Sequence, residues 1–250
     1  MNSLIGSRMN DAIRTGDLTA IQEIFTITGS NPNYSYGKYH GTILHMAAVA
    51  GNLEACAFAI SMGAAVNSID DFYYAPLIHA AFAGHARVCR FLLENGADVN
   101  ASNYNGWSVI HAATYSCNPE CVRVILEAGA NPNSSNRLNW SPLHVILGCH
   151  EGEKFTPMRE RSLEILRMLL EAGANPNSVN IHGDTAIHLA FKHSRNGFEH
   201  AFELVKHGGD PRAKTRDEFY PVTMERHEPG FMRELYDLYN AVRVLEDRSE

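Results

Sequence analysis

Five asparagines, Asn33, Asn67, Asn100, Asn133 and Asn177, each close a version of one phrase: GSNPN, GAAVN, GADVN, GANPN and GANPN. They stand 34, 33, 33 and 44 residues apart, and a degenerate sixth phrase, GGDPR, ends at Arg212 after 35 more. A fixed period of this length marks a stack of supersecondary repeats, none of which can bury its apolar face alone. The chain therefore has to be read one repeat at a time.

The clearest copy is PLIHAAFAGHARVCRFLLENGADVN, residues 76–100. Leu77 to Phe82 is a short apolar run halted at Gly84, and Val88, Cys89, Phe91, Leu92 and Leu93 form an amphipathic run halted at Gly96. That reads as a helical hairpin, with residues 97–100 leading out through turn-forming side chains.

The start of the first helix repeats in step, pairing Thr42 with His45, Ser108 with His111, Ser141 with His144 and Thr185 with His188. A hydroxyl caps a helix start, and an imidazole three residues on lies within reach of it. The pairs are expected to tie each helix to the neighbouring loop, so these histidines are structural positions rather than catalytic or metal-binding ones. In the copy at 75–78, Ala75 and Ile78 replace hydroxyl and imidazole together, as a hydrogen-bonded pair lost as a unit would require. His79 lies one position further on and is not the repeat's histidine. Small residues after the histidine, Ala47-Ala48, Ala80-Ala81 and Ala112-Ala113, let successive first helices approach closely.

The period, the TPLH-type start and the GADVN-type ending together resemble the ankyrin-repeat family over residues 10 to 215. The resemblance implies an all-α solenoid of stacked helix-turn-helix repeats with short β-hairpin-like fingers. Residues 1–39 would form a capping repeat and first finger, whose tyrosines are Tyr34, Tyr36 and Tyr39. Repeats would follow at 40–70, 71–103, 104–136, 137–180 and 181–215, with a capping helical segment at 216–250, the helix running from Phe231 to Leu245.

Two repeats are irregular. Counting back from Asn177 places the second helix of the 137–180 copy at Ser162 to Ala172, leaving about 11 extra residues near 149–160. Gly152 and Pro157 should break any continuous helix there, so the surplus extends the first helix or loops out before the second. The 181–215 copy carries about two extra residues near 193–196. Insertions in such arrays map to loops, often on the binding side.

With 45% apolar residues among 250, a core is assured, and no run approaches the roughly 18 apolar residues of a membrane span. The N-terminus lacks a signal-peptide core. A cytoplasmic protein, nuclear at most or translocated into a host cell if bacterial, is the expectation. Of the five cysteines, Cys56 and Cys89 are equivalent and should sit on adjacent helices roughly 8–10 Å apart, beyond the roughly 7 Å that a disulfide spans. They read as buried thiols. A net charge of −7 with scattered Lys and Arg argues against nucleic acid. No cofactor is implied, and a monomer is expected. Consecutive Cys149, His150 and Glu151 form the one compact ligand-like cluster, but adjacent residues do not readily converge on a metal ion.

The resemblance implies partner binding on the concave side, along the fingers and the exposed face of the first helices. The corresponding residues are Phe72, Tyr74, Phe82, Tyr104, Trp107, Tyr115, Arg137 and Trp140. Aromatic clusters with few charges behave like interface centres, although Trp107 and Trp140 could equally pack on the neighbouring finger. The favoured reading is a non-catalytic adaptor or scaffold holding a protein partner, with truncation of Tyr74 and Trp107 costing about 1–2 kcal/mol of stability. The alternatives are a host-directed bacterial effector, a targeting subunit, or an enzyme with its site in the 149–160 insertion. In a eukaryote, Asn100 and Asn133 would resemble sites of asparaginyl hydroxylation.

Overall fold

A computed structural model describes residues 2–36, 41–148, 156–193, 197–216, 233 and 235–240. The fold is all-α: among the described residues there is no strand, only isolated antiparallel bridges at Tyr36–Gly41 and Ser102–Ser108. The chain forms two compact units, Met1–Asn131 and Pro132–Glu250.

The first unit stacks four helical hairpins: α1 (Asn2–Thr15) with α2 (Leu18–Ile27), α3 (Ile43–Ala50) with α4 (Leu53–Ser61), α5 (Pro76–Phe82) with α6 (Ala86–Glu94), and α7 (Val109–Tyr115) with α8 (Pro119–Glu127). The first helices pack in the order α1, α3, α5, α7, and the second helices in the order α2, α4, α6, α8. Ala47, Ala48, Ala80, Ala81, Ala112 and Ala113 are all buried. Their short side chains keep the first-helix layer close, and Val88, Cys89, Leu92, Val122 and Ile125 fill the layer behind.

Each first helix in this unit stops in the left-handed region, at Gly16 (φ 74°), Gly51 (φ 70°), Gly84 (φ 72°) and Cys117 (φ 53°). The second-helix N-caps then reach back to the preceding hairpin. Asn52 Nδ2 donates to the Ile13 carbonyl at 2.7 Å, and Asn118 Nδ2 donates to the Gly84 carbonyl at 2.8 Å. His85 Nε2 lies 3.1 Å from the Val49 carbonyl.

The phrase-ending asparagines form a ladder within each unit. Asn33 Oδ1 accepts from the Ala65 N–H (2.8 Å), and Asn67 Oδ1 from the Asp98 N–H (2.9 Å). In the second unit Asn133 Oδ1 accepts from the Asn175 N–H (2.7 Å), and Asn177 Oδ1 from the Asp210 N–H (2.7 Å). One carboxamide thus satisfies the backbone of the next turn, which is why the phrase tolerates so little variation at that position.

The second unit contains α9 (Pro142–Gly148), α10 (Thr156–Glu171), α11 (Ala186–His193), α12 (Gly197–Lys206) and helical residues 235–240. Helix α10 begins well ahead of the expected Ser162. Pro157 lies in its first turn, where the missing N–H costs nothing, so this proline helps start the helix instead of breaking it. Part of the surplus therefore lengthens the second helix. The remainder of the insertion lies outside the described residues, as do the Cys149-His150-Glu151 cluster, residues 194–196, Tyr39 and most of the 216–250 segment. Within that segment Leu235 and Tyr239 are buried, and the Arg212 guanidinium lies 4.7 Å from the Tyr239 ring centroid.

Candidate functional site

The helix-start histidines His45 and His144 are engaged on both sides of the ring. The Thr42 N–H (3.1 Å) and hydroxyl (2.9 Å) both point at His45 Nδ1, which therefore accepts, while Nε2 donates to the Tyr74 carbonyl of the next finger at 3.0 Å. Ser141 and His144 repeat this, with Oγ to Nδ1 at 2.8 Å and Nε2 to the Asp184 carbonyl at 2.9 Å. Ser108 with His111 (2.7 Å) and Thr185 with His188 (2.8 Å) have the same hydroxyl contact. Burial, then the neighbouring His79, pushes His45 down to about 4, and burial likewise lowers His144. Neutral, doubly bonded imidazoles of this kind have no lone pair or proton left for catalysis or a metal.

The copy without the hydroxyl–imidazole pair compensates in its finger. Ile78 is fully buried, and Asp70 stands where the other fingers carry Asn103, Asn136 and Asn180. Asp70 Oδ1 accepts from the N–H groups of Phe72 and Tyr74 at 2.9 Å each, as Asn103 Oδ1 does from Asn105 and Trp107. Its second oxygen lies 2.9 Å from His79 Nε2, a pair that the repeat spacing did not reveal. The one visible signal was a lone acidic residue at an asparagine position.

The aromatic residues divide into three groups. Tyr74, Phe82, Trp107 and Tyr115 pack on one another: Phe82 stacks on Trp107 with centroids 6.0 Å apart and meets Tyr115 at 4.9 Å and Tyr74 at 6.4 Å. Tyr74, Phe82 and Trp107 are half-buried, whereas Tyr115 is exposed. Trp107 also lies 5.4 Å from His111, and its indole N–H is buried without a hydrogen-bond partner. Truncating that ring would leave space beneath Phe82 and Tyr115, so Trp107 contributes packing as well as surface. Phe72, Tyr73 and Tyr104 are exposed at the fingertips. Trp140 and Arg137 belong to the second unit. Arg137 is exposed, while Trp140 covers Gly148 so closely that an added Cβ there would stand 2.7 Å from the ring.

Charge is segregated in the three hairpins from α3 to α8. Helices α3, α5 and α7, with sequences ILHMAAVA, PLIHAAF and VIHAATY, hold no Lys, Arg, Asp or Glu. The second helices carry the ions, with Arg90 and Arg123 each 3.3 Å from Glu120. The second helices of the second unit are different again: Ser162 Oγ meets His200 Nε2 at 2.9 Å, and Glu203 receives both Arg167 (3.0 Å) and Lys206 (3.1 Å). Burial pulls the Glu203 carboxyl up, but those two cations outweigh it and hold the group below its ordinary value.

Cys89 and Cys121 stand with sulfurs 3.7 Å apart, both fully buried, a contact that the repeat spacing did not reveal because Cys121 is one residue out of register with Cys89. The described cysteines are all free thiols. A cleft of about 380 Å³ in the second unit is lined by Asn133, Ser135, Asn139, Ser141, Asn175, Ser178 and Val179, none of them titratable in the working range. Among the described residues no group of three His, Cys, Asp or Glu side chains could hold a metal ion, and no helix is long and apolar enough to cross a membrane.

Three sequence profiles of known families match the chain: ankyrin repeats in three copies over residues 9–103, a single ankyrin repeat over 105–137, and ankyrin repeats in many copies over 158–206. No curated protein matches it.

Proposed function

The chain belongs to the ankyrin-repeat family, a protein–protein interaction module, and from that premise we propose that it is a non-catalytic adaptor whose first unit holds a protein partner on the face of α3, α5 and α7. One observation carries the reading. That face is uncharged and rimmed by Tyr74, Phe82, Trp107 and Tyr115, whereas the helices behind it carry the ion pairs. Apolar aromatic surface without charge is the composition of an interface centre, and a partner there desolvates rings without stranding an ion. The working location we assign is the cytoplasm.

A photo-crosslinking residue at Tyr115, on the proposed face, and another at Arg123, on the opposite helix layer, test the proposal in cells. A discrete adduct from position 115, absent from position 123 and lost when Phe82→Ser is added in a variant that still melts cooperatively, supports it. Equal capture from both positions sinks it.

A further inference from the structure

Residues 73, 106, 139 and 183 are equivalent across the fingers, and each holds a positive φ: 64° at Tyr73, 75° at Gly106, 54° at Asn139 and 80° at Gly183. Glycine and asparagine tolerate that region, but a bulky aromatic residue is strained there. Finger 66–75 enforces the strain. The Tyr73 N–H donates to the Asp70 carbonyl at 2.9 Å, and the Asp70 carboxylate, itself 5% exposed, grips the N–H groups of Phe72 and Tyr74 and meets His79. No burial of the ring offsets the strain: Tyr73 is 55% exposed. Its ring lies 6.3 Å from that of Tyr104, which is 52% exposed, at an interplanar angle of 63°. Strain held in place by its surroundings and spent on a solvent-facing ring marks a functional position.

The charge around this ring pair says what it fits. Segments 66–75 and 99–108 contain Asp70 and Asp71 and no Lys or Arg, in a chain of net charge −7. The finger of the next repeat instead carries Arg137 at the position equivalent to Tyr104. Ring faces are electron-rich and attract cations, guanidinium above all, and neighbouring carboxylates add to that field. The geometry points to the Tyr73–Tyr104 pair as the receiving site for an arginine or lysine side chain from a basic stretch of the protein partner. The site rests on the reading of the adjoining aromatic face as a binding surface and extends that surface to the fingertips.

The full chain, labelled with 3-fluorotyrosine, is titrated with N-acetyl-arginine amide, N-acetyl-lysine amide and, as the neutral control, N-acetyl-glutamine amide. Saturable fluorine shifts at Tyr73 and Tyr104 are expected with arginine strongest and glutamine inert, weakening as salt rises. Tyr73→Gly, which places the residue of Gly106 and Gly183 at this φ and so retains the fold, should lower the arginine probe's affinity about fivefold, ~1 kcal/mol. Equal shifts with glutamine, or a response unchanged by Tyr73→Gly, overturns the proposal. The two readings fail separately: an adduct at Tyr115 that persists while the fingertips ignore cations keeps the binding face and removes the cation site.

Discussion

The two units share one backbone scheme and put their exceptions in opposite layers. In the first unit the second-helix layer is apolar within, with Cys89, Leu92, Val122 and Ile125 buried, and the unusual residues gather on the fingers and first helices. In the second unit the first helices are conventional, and the second-helix layer holds the Ser162–His200 contact and the Arg167–Glu203–Lys206 cluster. The repeat phrase fixes the capping pairs and the asparagine ladder in both, and the paired-alanine contacts in the first. What each unit does beyond standing up is written in the positions left over.

The sharpest test of that shared scheme is the buried capping pair. His144→Ala strands the Ser141 N–H and the Asp184 carbonyl and opens a cavity, at a cost of about 3–4 kcal/mol by urea denaturation. Ser141→Ala with His144→Ile copies the pairing found at Ala75 and Ile78, and should cost less than His144→Ile alone. If the double change is simply additive, hydroxyl and imidazole do not act as a unit.

Acid should then strike the first unit through His45. Its folded pKa, about 4, lies below the unfolded value of 6.5, so the unfolded chain binds more protons between those limits. Stability is full above about pH 6.5 and falls progressively towards pH 4, by about 3 kcal/mol from this group. The lowered His144 acts with the same sign in the second unit, whereas the depressed Glu203 contributes stability that is lost only at lower pH, as the solution passes through its folded value. Urea midpoints measured at pH 7.5 and 4.5 should therefore separate, and a flat profile would contradict the buried neutral imidazoles.

The fingers offer a change of sign. Tyr73→Gly should stabilise by about 1 kcal/mol through release of the left-handed strain, while Gly106→Ala one repeat later should destabilise by about the same amount. Thermal melting of the two variants checks it, and shifts in the same direction would remove the case for strain. The smallest effect expected is for Asp70→Asn. The backbone grip survives, as at Asn103, and only the His79 contact weakens, for about 0.5–1 kcal/mol.

Sequence reasoning reached what recurs. Six phrases at near-constant spacing revealed the hairpins, and the hydroxyl–imidazole spacing led to the capping geometry, because both are local and repeated. It did not reach contacts between non-equivalent positions. Cys121 is out of register with Cys89, and His79 meets a finger residue nine positions back. The early start of α10 was hidden because Pro157 has two meanings, breaker inside a helix and initiator at its first turn. Tyr73 was visible as a missing glycine, but its exposure and its approach to Tyr104 depend on how two fingers lie side by side.

The asparagine ladder behaves like a polymerisation reaction with a built-in terminator. Each carboxamide is a live end that accepts the next turn, and Asn177 passes the array on to Asp210. Arg212 stands where the next asparagine belongs and offers a guanidinium in place of a carbonyl oxygen, turning to the Tyr239 ring instead. Lengthening the array is therefore a matter of inserting whole 33-residue monomers between live ends such as Asn67 and Asn100, whereas grafting beyond Arg212 requires that the terminator first be converted back to asparagine.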